Sequence, residues 1–418
     1  MRIIVKTKSR TNIFKNWIIL FPFFLIFLSE ILTISFKEVS SVLKIIAVFH
    51  MFFYSILYKK YHNNFLSSFF IFIPFFIYGI IHSFNVEAAL TEGIRYLFPI
   101  VILFYSFSIR FNFKLLLRVF ILFVLINDLY QIINYIYWLK GIDQWFYLYR
   151  PDGSRYYNAT SGIIRATGIV AFFGLFSFIN LIAFFLTRKF YKGKRKGLIL
   201  FFFVLFMFLS FSYKTLGTFF VLLFLEYNNK LKLILIIIFG FLLAWIIIPS
   251  TLVSMGENFS YRITEYVTEG NSARAESYRV MFTELSHFNL FGRGVGSFGG
   301  PSSVSYNSPV YKDVNFNWYF TTNLATTDTY YPHLFVEMGL IGGLLYLIVI
   351  LSPLFFIKWK MDKFKIVFII YFALFFDSLF SYSLNNIAFL VASLIFIYPI
   401  YYIDNNKTFS LTTSETIK

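Results

Sequence analysis

A chain of 418 residues in which 58% are hydrophobic and only 14% charged is not a water-soluble globule, because soluble domains carry roughly a quarter charged residues. The formal net charge of +17 does not point to nucleic acid: the Lys and Arg residues stand in short clusters between apolar runs and not along one soluble face. No cysteine is present, which excludes disulfide frameworks, thiolate metal sites and cysteine nucleophiles.

In chain order, residues 1–15 hold five basic residues ahead of the first apolar run. That run lacks a small-residue cleavage site, which predicts an uncleaved first helix. Apolar runs then predict about twelve membrane-spanning helices, at 16–35, 39–57, 65–82, 94–109, 114–139, 163–187, 198–212, 215–228, 231–253, 332–357, 365–383 and 386–403. Basic residues fall in alternate loops: the N-terminus, Lys59 and Lys60, Arg110 with Lys114 and Arg118, Arg188 to Lys196, Lys230 with Lys232, and Lys358 to Lys365. By the positive-inside rule both termini are cytoplasmic.

The predicted fold class is therefore an all-α integral membrane protein with a large outer loop between helices 9 and 10. Residues 1–253 carry helices 1–9, with a short outer loop at 140–162. Residues 254–331 form the large loop, 332–403 the last three helices and 404–418 a cytoplasmic tail. A loop of that length is usually functional or has structure of its own. Within it, Ser272 to Phe288 reads as an amphipathic helix with Tyr278, Met281, Phe282 and Leu285 at helical spacing, followed by Gly and Pro breaks.

The outer side collects Arg150, Arg155, Arg165, Arg274, Arg279, Arg293 and His333 with the carboxylates Glu276, Glu284, Asp328 and Glu337. Guanidinium groups bind oxyanions bidentately and stay charged, so this set suits a phosphate-bearing partner. The plainer alternative is pairing with the neighbouring carboxylates or with lipid phosphates. Arg274 and Arg279 point about 140° apart on one helix. Arg274 shares its face with Tyr278 and is favoured for function, while Arg279 stands at ion-pair spacing from Glu276. The run from Gly292 to Gly300, with Arg293, Gly294 and Gly296, has the composition of an anion-cradling turn or of a plain flexible one. It follows a helix, so it is no dinucleotide fingerprint.

His333 and Glu337 lie one turn apart at the start of a membrane helix, which predicts a histidine at the membrane surface able to hold a sugar hydroxyl or a phosphate oxygen, or simply to pair with Glu337. Gly339 and Gly343 are spaced for close helix packing. Asp128 and Asp377, inside predicted helices, stay outside the site set. No metal motif and no cofactor motif is present.

Several pieces then occur in order. Arg165-Ala-Thr-Gly168 opens a predicted helix; Leu209-Ser-Phe-Ser-Tyr-Lys214-Thr joins two helices; Arg274-x-x-x-Tyr278 precedes Phe291-Gly-Arg-Gly-Val-Gly296; and His333-Leu-Phe-Val-Glu337-Met-Gly339-Leu-Ile-Gly342 follows. Over roughly residues 160–345 this series resembles the O-antigen polymerase and ligase superfamily. Two departures are Leu334, where Asn often follows the histidine, and Lys214 in place of Arg.

The resemblance implies a glycosyltransferase of the bacterial inner membrane. It would act on undecaprenyl-diphosphate-linked oligosaccharides at the periplasmic face, making O-antigen or capsular polysaccharide without a metal. It implies that Arg165 and Arg274, assisted by Lys214, stabilise the leaving diphosphate. His333 would act as base, with Glu337 or Asp328 in reserve. Tyr278, Arg279, Arg293, Asp328, Gly294 and Gly296 complete the substrate-binding set. Membrane lipids and a polysaccharide chain-length regulator are the other implied partners. An O-antigen ligase passing glycan to lipid A core and a lipid-linked oligosaccharide flippase are the rival readings; matching halves, expected of many transporters, are not evident.

Overall fold

Backbone N–H and C=O groups find no water in hydrocarbon, so apolar runs of this length fold as helices. The computed structural model describes residues 10–58, 63–140, 159–160, 163–170, 172–227, 272–322 and 324–403, with scattered positions between 229 and 270. Among these, seven helices are long and apolar enough to cross a membrane. They are α1 (Arg10–Leu32), α2 (Lys37–Tyr58), α3 (Asn63–Ile81), α4 (Val86–Ser108), α5 (Phe113–Leu139), α6 (Phe173–Phe190) and, later in the chain, the helix Tyr330–Phe356. Between them come the shorter α7 (Lys196–Leu209), α8 (Tyr213–Glu226) and α9 (Ala273–Ser286). Tyr330–Phe356 is then α10, followed by α11 (Met361–Phe380), α12 (Ile387–Leu394) and α13 (Ile397–Tyr402). The chain is a helical membrane protein. The predicted helix at 231–253 falls largely outside the described residues, as do Arg150 and Arg155.

Where the helices depart from the sequence pattern, side chains or another backbone have taken their hydrogen bonds. The helix expected from 163 begins only at Phe173, after a short antiparallel pairing of Ala159–Thr160 with Ile163–Ile164. Gln131 accepts from the N–H groups of Thr167 and Gly168, Asn127 from Ile169, and the Leu209 carbonyl from Ala166. Those donors are spent outside any helix. Arg165 therefore lies on extended chain and does not open a helix. The helix expected from 94 starts a full two turns earlier, at Val86, because the Asn85 side chain accepts from the Ala88 N–H at 3.1 Å and caps it. Glu92 is thus a helix residue and not part of a loop. The last predicted helix, 386–403, is divided into α12 and α13.

Helix α10 is interrupted at Gly339, whose φ of 68° and ψ of −175° are not helical. The segment 289–294 inserts there. Arg293 and Gly294 donate to the carbonyls of Val336 and Glu337 at 2.8 and 3.0 Å, while Leu340 and Ile341 donate to Asn289 and Leu290 at 3.2 and 3.1 Å. Gly339 serves this backbone exchange, not only helix packing. A Cβ on Gly292, itself at φ 81°, would stand 2.1 Å from the Glu337 carbonyl oxygen. Gly292→Ala is expected to cost about 2–4 kcal/mol from overpacking and left-handed strain, read as a lower thermal midpoint of the detergent-solubilised protein.

A small apolar core under α9 holds the polar segment 272–329 together: Val280 and Met281 pack with Phe298, Tyr311 and Phe316 against Val336 of α10. The buried face of α9 is Ser277, Val280, Met281 and Glu284, and Phe282 is 62% exposed. This face is rotated from the predicted one, because Ser277 and Glu284 are satisfied by hydrogen bonds to Thr329 and Asn289 and by an ion pair with Arg293.

Candidate functional site

Two polar clusters meet at the end of the bundle where α4, α8 and α10 begin and α11 finishes. The first is buried. Helical spacing sets Glu92 and Arg95 on one side of α4, and His333 and Glu337 on one side of α10. Glu92, His333 and Glu337 are all 0% exposed. His333 Nδ1 donates to the Phe298 carbonyl at 2.6 Å and lies 3.4 Å from Glu337; its Nε2 lies 3.4 Å from Glu92. Glu337 accepts from the Tyr96 hydroxyl at 3.1 Å and from the Phe298 N–H at 3.0 Å. Glu92 accepts from Arg95, Ser302, Tyr382 and Asn385 at 2.9, 2.9, 3.0 and 2.6 Å. Tyr96 and Tyr382 flank the imidazole ring, with centroids 5.3 and 5.0 Å away. His333 is thus not at a surface, as its place at a helix start suggested, but enclosed.

The second cluster is exposed at the Arg274–Asp328 pair and buried at the Lys214–Asp377 pair, whose side chains are 15% and 3% exposed. Arg274 at the start of α9 pairs with Asp328 at 3.3 Å, with side chains 33% and 62% exposed. Asp328 sits at φ 57° just before α10, held by reciprocal hydrogen bonds with Thr326. Lys214 at the start of α8 pairs with Asp377 of α11 at 2.8 Å, and Asp377 also accepts from Ser381 and Ser383. The two pairs lie within Coulombic range of each other. Four charges from four separate stretches of sequence are brought together here. The Tyr278 hydroxyl donates to the Leu379 carbonyl at 2.8 Å, which docks α9 on α11. Burial pushes this phenol up to about 12, so it stays a donor.

The remaining predicted residues go elsewhere. Arg165, nearly buried, donates to the carbonyls of Ser210 and Phe211 at 3.0 and 2.7 Å and stacks on Phe173. It supports the α7–α8 corner from which Lys214 projects. Arg279 pairs with Glu276 at 3.3 Å, and Arg293 grips Glu284 through two nitrogens at 3.0 and 2.8 Å. Both arginines line a cleft of about 260 Å³ on another side of α9, with His287 and Asp313. The glycine run is not an open anion cradle: the Gly294 N–H is given to Glu337, and Gly294 and Gly296 press on the backbones of His82 and Ala88.

Burial alone would raise the Glu284 carboxyl, but the hydrogen bonds from Arg293 and Asn289 outweigh it and hold it below the usual carboxylate range. The unfolded chain then binds a proton at higher pH than the folded one. The pair's contribution is complete above the ordinary carboxylate range and is lost as pH falls through Glu284's lower folded value. The protection factors of α9 amides, corrected for the intrinsic pH dependence of exchange, are therefore expected to be steady from about pH 8 to 6 and to fall in acid, with Glu284→Gln removing most of the acid step.

Sequence reasoning missed Glu92, which the apolar run seemed to leave in a loop, and set Asp377 aside. The signal for Asp377 was an ionisable residue inside a predicted membrane helix, which Glu92, two residues ahead of one, did not give. What the chain itself establishes is a helical membrane protein with these two joined polar clusters; no protein-family model and no curated protein matches it.

Proposed function

We propose that the chain is a membrane glycosyltransferase that polymerises undecaprenyl-diphosphate-linked oligosaccharide repeat units into O-antigen or capsular polysaccharide. The carrying observation is the second cluster, in which the Arg274–Asp328 and Lys214–Asp377 pairs lie within Coulombic range of each other. In this reading twelve helices span the bacterial inner membrane, both termini are cytoplasmic and the 254–331 loop is periplasmic. Reporter fusions that put the Arg188 to Lys196 cluster outside the cell would sink that topology.

These charges suit the proposed reaction. A hydroxyl on the non-reducing sugar of one lipid-linked unit attacks the anomeric carbon of another glycan, whose bond to undecaprenyl diphosphate breaks. The electron pair leaves on the diphosphate, and negative charge grows there in the transition state, where fixed cations are worth most. Arg274 and Lys214 meet it while Asp328 and Asp377 hold them in place, and Arg165 steadies the corner behind Lys214. Asp328 takes the hydroxyl proton. It is favoured over His333 and Glu337 because its carboxylate is exposed beside Arg274, whereas the His333 imidazole and the Glu337 carboxylate are enclosed.

The test is the surface-polysaccharide ladder of a deletion strain of the source bacterium. Loss of all rungs beyond one repeat unit, restored by the wild-type gene, supports polymerisation. A ladder that persists on undecaprenyl diphosphate and never reaches lipid A core identifies a ligase. The buried Glu92–His333–Glu337 set would equally serve a proton-coupled transporter, for which no periplasmic glycan should form in the deletion strain.

A further inference from the structure

Glu92 is an enclosed carboxylate whose two oxygens are both filled by donors. Oε2 accepts from Arg95 and from Ser302 of the polar segment, and Oε1 accepts from Tyr382 and Asn385 in the turn after α11, with His333 of α10 at 3.4 Å. The far side of the same parts carries the second cluster. Ser381 and Ser383 in that turn hold Asp377, which holds Lys214; Asp328, which holds Arg274, leads directly into α10. One buried group thus joins α4, α10, the polar segment and the 381–385 turn behind both ion pairs.

We infer that Glu92 is a positioning residue for glycosyl transfer, fixing the spacing of the Lys214 and Arg274 cations from behind; this rests on the glycosyltransferase reading above. The donor pattern calls for a carboxylate. A glutamine has one acceptor oxygen and would turn an NH2 toward two donors whichever way it faced. Displacements near 1 Å far from the chemistry are enough to cost about 100-fold in rate. Ground-state binding of a flexible diphosphate by Arg and Lys is more tolerant of such shifts than the transition state is.

The experiment uses the purified full chain in nanodiscs with a synthetic undecaprenyl-diphosphate-linked oligosaccharide, measuring kcat and KM per folded molecule from product masses. Glu92→Gln is expected to lower kcat about 100-fold with KM little changed, and Glu92→Asp to recover part of the loss. A Glu92→Gln protein with wild-type turnover, while Arg274→Ala is inactive, overturns the inference alone. So does a variant that yields less folded protein but has unaltered kcat per folded molecule. If Glu92→Gln does not fold, Tyr382→Phe and Asn385→Ala each remove one contact: a lowered kcat in both supports the inference, and wild-type kcat in both overturns it. Wild-type protein that never lengthens the glycan overturns the reading and the inference together.

Discussion

Arg274→Ala, expressed at the wild-type level in the deletion strain, is expected to leave surface glycan at a single repeat unit. Loss of one preorganised donor at a developing oxyanion costs about 100- to 1,000-fold in rate, enough to erase a ladder that needs many successive transfers. Arg274 is one-third exposed and the Asp328 carboxylate it pairs with is more exposed still. Removing the arginine therefore leaves a solvated carboxylate and not a buried unpaired charge, so stability should barely change. That separation is the diagnostic point. Unchanged yield and thermal midpoint with no ladder assigns the arginine to chemistry, whereas a normal ladder would remove it from the site.

Glu337→Ala is expected to do the opposite, destabilising the fold by about 3–5 kcal/mol, the usual cost of removing one member of a buried charged network. The Tyr96 hydroxyl and the Phe298 N–H would lose their acceptor, and His333 would keep only Glu92 among its carboxylates. The side chain is enclosed by elements that carry the Arg274–Asp328 and Lys214–Asp377 pairs, so the loss should spread. Thermal unfolding in detergent checks this. Glu337→Gln, which retains an acceptor and the volume, should lose less, and an alanine variant as stable as wild type would mean that the network is not closed around this residue.

Much of the helix plan was legible because hydrophobic length is a strong signal: α2, α3, α5, α8 and the extent of α10 follow the apolar runs closely. Failures came where hydrogen bonds cross between distant parts. Nothing local in Arg165-Ala-Thr-Gly168 says that Gln131 and Asn127 will capture the following N–H groups. Nothing local in Met338-Gly339-Leu340 says that segment 289–294 will replace helical bonds there, although the glycines at 292, 294 and 339, all left-handed in the fold, were the available hint. The pairing of Arg279 with Glu276 was readable from spacing; that of Arg274 with Asp328, or Lys214 with Asp377, was not, since the partners are far apart in sequence. Glu92 was hidden by its apparent place at a loop edge. Only its cap at Asn85 makes it a helix residue facing His333.

The most direct measurement supplies the purified chain with undecaprenyl-diphosphate-linked repeat units and nothing else, and follows products by mass. The account predicts glycans of two and more units still attached to undecaprenyl diphosphate, with one free undecaprenyl diphosphate released for each new bond. Units that stay single, that move only when lipid A core is added, or that cross a vesicle bilayer without forming a bond would contradict it.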